Sequence, residues 1–330
     1  MKMIRYGVVG TGWIVRSMIA GAAQYPEQLC LTAVCSRSEE RGRAFAAEVG
    51  APQAQVFTDP AAMAASDALD MVYIASPNSC HVAQSRLFLE GGKHVLCEKP
   101  LAADPADVQL LQQQAAMRGL LFREAIMLLY QPQLALLRQA VEQCGPISAA
   151  HFQFCQFSSK YEACRRGELP NIFNPAMQTG ALMDLGVYCV YPALYLFGEP
   201  QAVSAAAAFL PTGADGSGGA LLHYPDKTVQ LTYSKTGQGF GPSEIVGEQA
   251  SVTVGHIGQL ADITLHRRGG QPQPLCGSEE KPLLMGREIA AFAAAIEAGQ
   301  TAPDEQDRLA LAVSRWMYAI RMAAGIRFPD

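Results

Sequence analysis

Through its first 125 residues the chain alternates short runs rich in β-branched residues with stretches of helical length. IRYGVVG precedes a helical pattern from about Trp13 to Gln24, LTAVCS precedes EERGRAFAAEVG, and QVFTD follows; DMVYIASP then precedes the stretch from His81 to Glu90, KHVLCEKP precedes Pro105 to Met117, and LLFREA closes the series. Strands separated by helices pair in parallel through crossovers, and a parallel sheet is covered on both faces, which is why such runs are apolar throughout. Residues 1–123 are therefore expected to form a doubly wound α/β domain around a parallel sheet.

Beyond a helix ending near Cys144 the pattern changes to longer alternating runs, among them ISAAHFQFCQF, GGALLHYP, KTVQLTYS, SEIVGE, ASVTVG and ADITLHRR, spaced by Gly, Pro and Asp. That is the signature of antiparallel strands. Residues 124–330 are expected to form an α+β domain on an open, mostly antiparallel sheet, with a polar loop over residues 158–179, a helix opening near Gly180, and amphipathic helices at about 286–298 and 305–323.

Composition excludes several partner classes. Hydrophobic residues make up 49% and charged residues only 17%, against about 25% charged in an average soluble chain, so part of the surface is expected to be covered by self-association. The net charge is −5 and the 25 basic residues are scattered, which leaves no electrostatic footprint for nucleic acid or an anionic membrane. The densest charge-free apolar run, residues 185–198, is interrupted by Pro192 and falls short of the roughly 20 residues that span a bilayer. No continuous signal-peptide core opens the chain, so a cytoplasmic location is expected. Nine cysteines form no C-x-x-C pair, and the spacing predicts reduced thiols and no metal site.

The first strand ends in GVVGTGWIV. In a strand-turn-helix context Gly10 permits the tight turn, and Gly12 lets backbone N–H groups approach a pyrophosphate at a helix N-terminus, with Thr11, Trp13 and Ile14 completing the turn. Val15 stands where a strict fingerprint has its third glycine. At the end of the second strand, where a carboxylate would hold the ribose hydroxyls of NAD, the chain reads Cys35, Ser36, Arg37, Ser38. A hydroxyl followed by the guanidinium groups of Arg37 and Arg41 suits a 2′-phosphate, so NADP is the expected cofactor and NAD the alternative.

In an open parallel sheet ligands bind at the carboxyl ends of strands. The fourth strand ends in Ser76, Pro77 and Asn78, with His81 opening the next helix, and the fifth ends in Glu98, Lys99 and Pro100. These residues are expected against the cofactor, His81 with a plain helix-start role as its alternative. In the second half, GALMDLGVYCVYPALYLFG puts Asp184 and Tyr188 four residues apart on one helix face. A lysine ammonium near a tyrosine favours phenolate, which would make Tyr188 a proton acceptor and donor for a substrate hydroxyl.

GVVGTGWI, AVCSRSEERGRAFA, ASPNSCH, HVLCEKPLA, NPAMQTGALMDLGVY and the closing EIAAFAAAIEAGQ with AIRMAAGIRFP together resemble the glucose-fructose oxidoreductase and inositol dehydrogenase family (Gfo/Idh/MocA). The likeness is strongest to the branch of dihydrodiol dehydrogenases, xylose dehydrogenases and glucose-fructose oxidoreductase, whose helix carries Tyr where inositol dehydrogenases carry His. It implies that Lys99 and Tyr188 are catalytic, that Asp184 helps hold substrate, and that the chain forms a homodimer or homotetramer through its open sheet. Two positions depart from the pattern: Leu129 replaces a basic residue that often faces substrate, and the glycine run before the helix is reduced to Gln178, Thr179, Gly180. The expected activity is an NADP-dependent dehydrogenase acting on a CH–OH group of a polyol, sugar or cyclic vicinal diol; the alternative is a catalytically silent dinucleotide-binding sensor of the same fold.

Overall fold

The structure, a computed structural model, describes residues 3–329 and divides into two compact units. The first contains β1 (Ile4–Val9), α1 (Trp13–Ala22), β2 (Leu29–Cys35), α2 (Glu39–Glu48), β3 (Gln55–Phe57), α3 (Pro60–Ala65), β4 (Met71–Ile74), α4 (Asn78–Glu90), β5 (His94–Glu98), α5 (Pro105–Met117) and β6 (Phe122–Ala125). All six strands run parallel in the order β3-β2-β1-β4-β5-β6. Helices start where the sequence supplies caps: Ser38 accepts from Arg41 N at α2, while Asp59 and Asp104 accept from the residue two ahead at α3 and α5, each before a proline. The strand order reverses between β1 and β4, so the ligand crevice of this sheet lies at their carboxyl ends.

The second unit contains α6 (Pro132–Glu142), β7 (Ile147–Cys155), α7 (Tyr161–Arg165), a π-helical turn over Leu182–Gly186 that continues into α8 (Val187–Phe197), and strands β8 (Ala202–Phe209), β9 (Asp215–His223), β10 (Thr228–Ser234), β11 (Ser243–Gly247), β12 (Ala250–His256), β13 (Ala261–Arg267) and β14 (Gln273–Pro274). Their order is β14-β13-β12-β11-β7-β10-β9-β8; only β7 and β10 pair in parallel. Residues 187–194 of α8 are all buried. The stretch Pro175–Phe197 has the length and apolarity of a membrane span, but 78% of its apolar window is buried inside the protein, as befits a core helix.

The chain ends in α9 (Lys281–Glu297) and α10 (Glu305–Ala323). Where the sequence suggests one boundary after residue 123, the observed division falls after Tyr130, and Glu280–Arg308 rejoins the first unit. Two contacts explain the return. Gly21 of α1 and Gly286 of α9 touch backbone to backbone, so closely that a Cβ on Gly21 would lie 2.6 Å from Gly286 N. Arg123 at the end of the sheet, 7% exposed, is ion-paired to Asp304, which also accepts from Gln306 N and Asp307 N to cap α10. A buried guanidinium needs such a partner.

Candidate active site

The turn after β1 is built to leave donors free. Gly10 has φ +109°, a region side chains disfavour, and a Cβ there would sit 2.9 Å from Ala75 O. Gly12 caps α1 with extended backbone and no side-chain bond, no acidic residue stands in the first turn, and a Cβ on Gly12 would meet nothing within 4 Å. The first N–H groups of the helix and its positive dipole end thus suit an anion that comes close to the backbone. Arg16 braces this turn: its guanidinium donates to Thr11 O at 2.6 Å and to both oxygens of Glu48 at 2.7 and 2.8 Å. Val15, in place of the third glycine, is a fully buried residue of α1 itself, while Trp13 is exposed with the Lys281 ammonium 4.4 Å above its ring.

At the end of β2, Ser36 is buried and Arg37 and Arg41 are exposed. Among the described residues neither guanidinium is ion-paired, whereas nearby Arg43 is engaged by Glu39. A hydroxyl at the strand end and two guanidinium groups that are not ion-paired fit a ribose 2′-phosphate.

At the neighbouring strand ends Ser76 Oγ donates to Gln84 Oε1 at 2.7 Å, Pro77 caps α4 and Asn78 begins it. His81 is enclosed by the protein itself. It is 1% exposed, and its two ring nitrogens lie 2.9 Å from Pro100 O and 3.0 Å from Ser76 O, so the single N–H of the neutral ring donates to the turn after β5 or to the turn after β4. Burial, the largest influence, lowers its pKa. Glu98 accepts from the Tyr73 hydroxyl and from Lys99 N at 3.2 Å; burial raises its pKa, opposed first by the Lys99 charge. The Lys99–Pro100 peptide is cis. On α9, Glu288 is 1% exposed and its Oε1 has no hydrogen-bond partner among the described residues; burial and then the charge of Glu98 push its pKa well up, so its neutral acid form is favoured.

In the second unit Asp184 lies in the π-helical turn and Tyr188 one turn later in α8. Tyr188 is 8% exposed and meets the Phe154 ring edge-on at 5.6 Å. The helix start is closed from within: Asp215 Oδ2 accepts from Leu182 N at 2.7 Å, and Gly180, at φ +153°, leaves no room for a Cβ, which would fall 1.9 Å from Asp215 Oδ1. Burial pushes the Asp215 carboxyl up to about 7, against backbone hydrogen bonds and the Lys235 charge. The Lys235 ammonium donates to Asp184 Oδ2. Lys99 belongs to the first unit and Asp184 and Tyr188 to the second. Arg16, Asp215, Lys235 and Glu288 escape the sequence reading; a lysine directly after the alternating strand TVQLTYS is the one local sign of Lys235.

Residues 4–125 match the family described as oxidoreductase family, NAD-binding Rossmann fold, and residues 135–253 match the GFO/IDH/MocA C-terminal domain. The chain belongs to the Gfo/Idh/MocA oxidoreductase family. Within the family it is 36% identical over 328 residues to scyllo-inositol 2-dehydrogenase (NADP(+)) IolU of Bacillus subtilis, covering 99% of each chain. It is 29% identical over 241 residues to human trans-1,2-dihydrobenzene-1,2-diol dehydrogenase, covering 69% of this chain and 70% of the relative. The fold is shared with KijD10, a 3-ketoreductase of Actinomadura kijaniata solved with NADP and TDP-benzene, at a TM-score of 0.86, 24% identity and 98% coverage of both chains. The expected Rossmann sheet, the antiparallel-dominated second sheet and the oxidoreductase family all stand.

Proposed function

We propose that this oxidoreductase is an NADP-dependent dehydrogenase of a polyol or cyclic vicinal diol, with Tyr188 as its acid/base. The observation that carries the reading is the pair Asp184 and Tyr188 on successive turns of a largely apolar, mostly buried helix. When bound, NADP supplies the hydride acceptor in oxidation and the reduced form supplies the donor in reduction. Gly10, Thr11, Gly12, Trp13 and Ile14 would hold the pyrophosphate on backbone N–H groups, and Ser36, Arg37 and Arg41 the 2′-phosphate. Ser76, Pro77, Asn78 and Glu98 would shape the wall beside it. Tyr188 would take the hydroxyl proton as the carbinol carbon loses hydride, Lys99 would favour its phenolate, and Asp184 would accept from a neighbouring hydroxyl. Scyllo-inositol is the first substrate to try, on the strength of the likeness to the Bacillus enzyme along the whole chain.

The test is a fluorescence titration with NADPH and NADH that follows Trp13 and Trp316, then a turnover screen on polyols with NADP. Tight NADPH and weak NADH binding with turnover supports the reading; cofactor binding with no turnover on any polyol or diol would favour the silent sensor. In the second sheet, the Gln230 and Leu221 row continues through His151, which bonds Thr232, and these side chains are only partly covered. Two or four copies would associate through this face, a reading that sedimentation analysis tests. The nine unpaired cysteines agree with a cytoplasmic site of action.

A further inference from the structure

Asp184 is held by a residue outside the helix motif. Lys235 follows the last residue of β10, is only 7% exposed, and donates from Nζ to Asp184 Oδ2, whose side chain is 27% exposed. The lysine backbone is fixed on both sides, Lys235 N donating to Gly216 O at 2.8 Å and Ser158 N donating to Lys235 O at 2.9 Å. Directly before Gly216, Asp215 accepts from Leu182 N at the start of the same helix, and the Lys235 charge favours its ionised form. One ammonium therefore acts on two carboxylates: Asp215, which anchors the helix start, and Asp184, one turn before Tyr188.

We propose that Lys235 is a positioning residue of the dehydrogenase, fixing the rotamer and charge of Asp184 so that its carboxylate is already ordered to accept a hydrogen bond from a substrate hydroxyl. The inference rests on the reading above in which Asp184 meets substrate. A nearly buried ammonium without a counter-charge is costly, so the pair is held in one geometry. A carboxylate ordered beforehand spares the substrate the cost of immobilising it on binding. Without the ammonium, Asp184 would lose the charge-assisted bond that holds its Oδ2, and Asp215 the positive charge that favours its ionised form. The loss then falls on substrate binding, because Lys235 takes no part in the proton exchange at Tyr188.

The experiment compares full-length wild type, Lys235→Met and Lys235→Arg in steady-state kinetics with scyllo-inositol or the best polyol of the screen, alongside NADPH titration and thermal unfolding. Lys235→Met should raise KM about tenfold or more while kcat stays within about threefold and NADPH affinity is unchanged. Lys235→Arg, which keeps a charged donor, should recover most of the lost KM. An unchanged KM in Lys235→Met overturns the proposal, as does a KM defect that arginine does not rescue and that comes with lost thermal stability. Where the methionine variant fails to fold, Lys235→Gln takes its place, and failure of both neutral variants would make the residue structural and end its positioning role. A wild type that turns over no polyol overturns the underlying reading and this one with it, whereas an active wild type with an unaffected Lys235→Met overturns this one alone.

Discussion

The two units each present a glycine at the start of a helix, and use it oppositely. At α1, Gly12 has open space where a side chain would be, no side-chain cap, and no acid in the first turn. At the π-helical turn before α8, Gly180 is required because Asp215 already fills the place beside it and accepts from Leu182 N. The first start exposes its donors to an external anion; the second occupies one of its own with an internal carboxyl group. Glycine at a helix start is thus a shared sequence sign with two physical meanings, and only the surroundings tell binding from closure.

Substituting the two glycines should separate these meanings. Gly180→Ala is expected to have the largest effect, a loss of more than about 4 kcal/mol in denaturant unfolding, because its Cβ would clash with Asp215 at a disfavoured φ; near-native stability would break the comparison. Next comes Asp215→Asn, read as stability against pH. A folded-state pKa raised from 3.8 to about 7 means that the native protein holds this proton more tightly than the unfolded chain, so the contribution is present below about pH 4 and lost as pH rises through 7. The loss amounts to up to about 4 kcal/mol, and the asparagine variant should flatten that slope. Gly12→Ala should leave stability within about 0.5 kcal/mol yet weaken NADPH binding about tenfold or more, since the added methyl stands where the pyrophosphate approaches. Unchanged NADPH affinity by titration would remove the anion-binding half of the comparison. The smallest effect belongs to Gln178, at φ +53° in the shortened glycine run: Gln178→Gly should stabilise by no more than about 1 kcal/mol in thermal unfolding, by relieving left-handed strain.

Local signals were legible where they decide structure locally. The helix Pro105–Met117 has the limits its sequence suggests, set by the Asp104 cap and the proline after it. Strand β8, AVSAAAAF, has no strand signature in the sequence, because alanine favours helix and offers no alternation. Helix α9 begins at Lys281, five residues earlier than its periodicity suggests, with Pro282 in the first turn, where proline is tolerated. Of the candidate site, the phosphate turn and the Asp184–Tyr188 spacing are motif features and were visible. The approach of His81 to Pro100 O and the Lys235 bond to Asp184 join residues 19 and 51 positions apart, which no spacing encodes.

The return of Glu280–Arg308 to the first unit bears on how such a protein can be recombined. A single crossover near Tyr130 would transfer six strands to a new host while leaving behind the helix whose Gly286 meets Gly21 and the aspartate that neutralises Arg123. The smallest heritable cassette for the cofactor half therefore has two separate pieces, and a chimera that exchanges both should fold where one that exchanges the first alone would not.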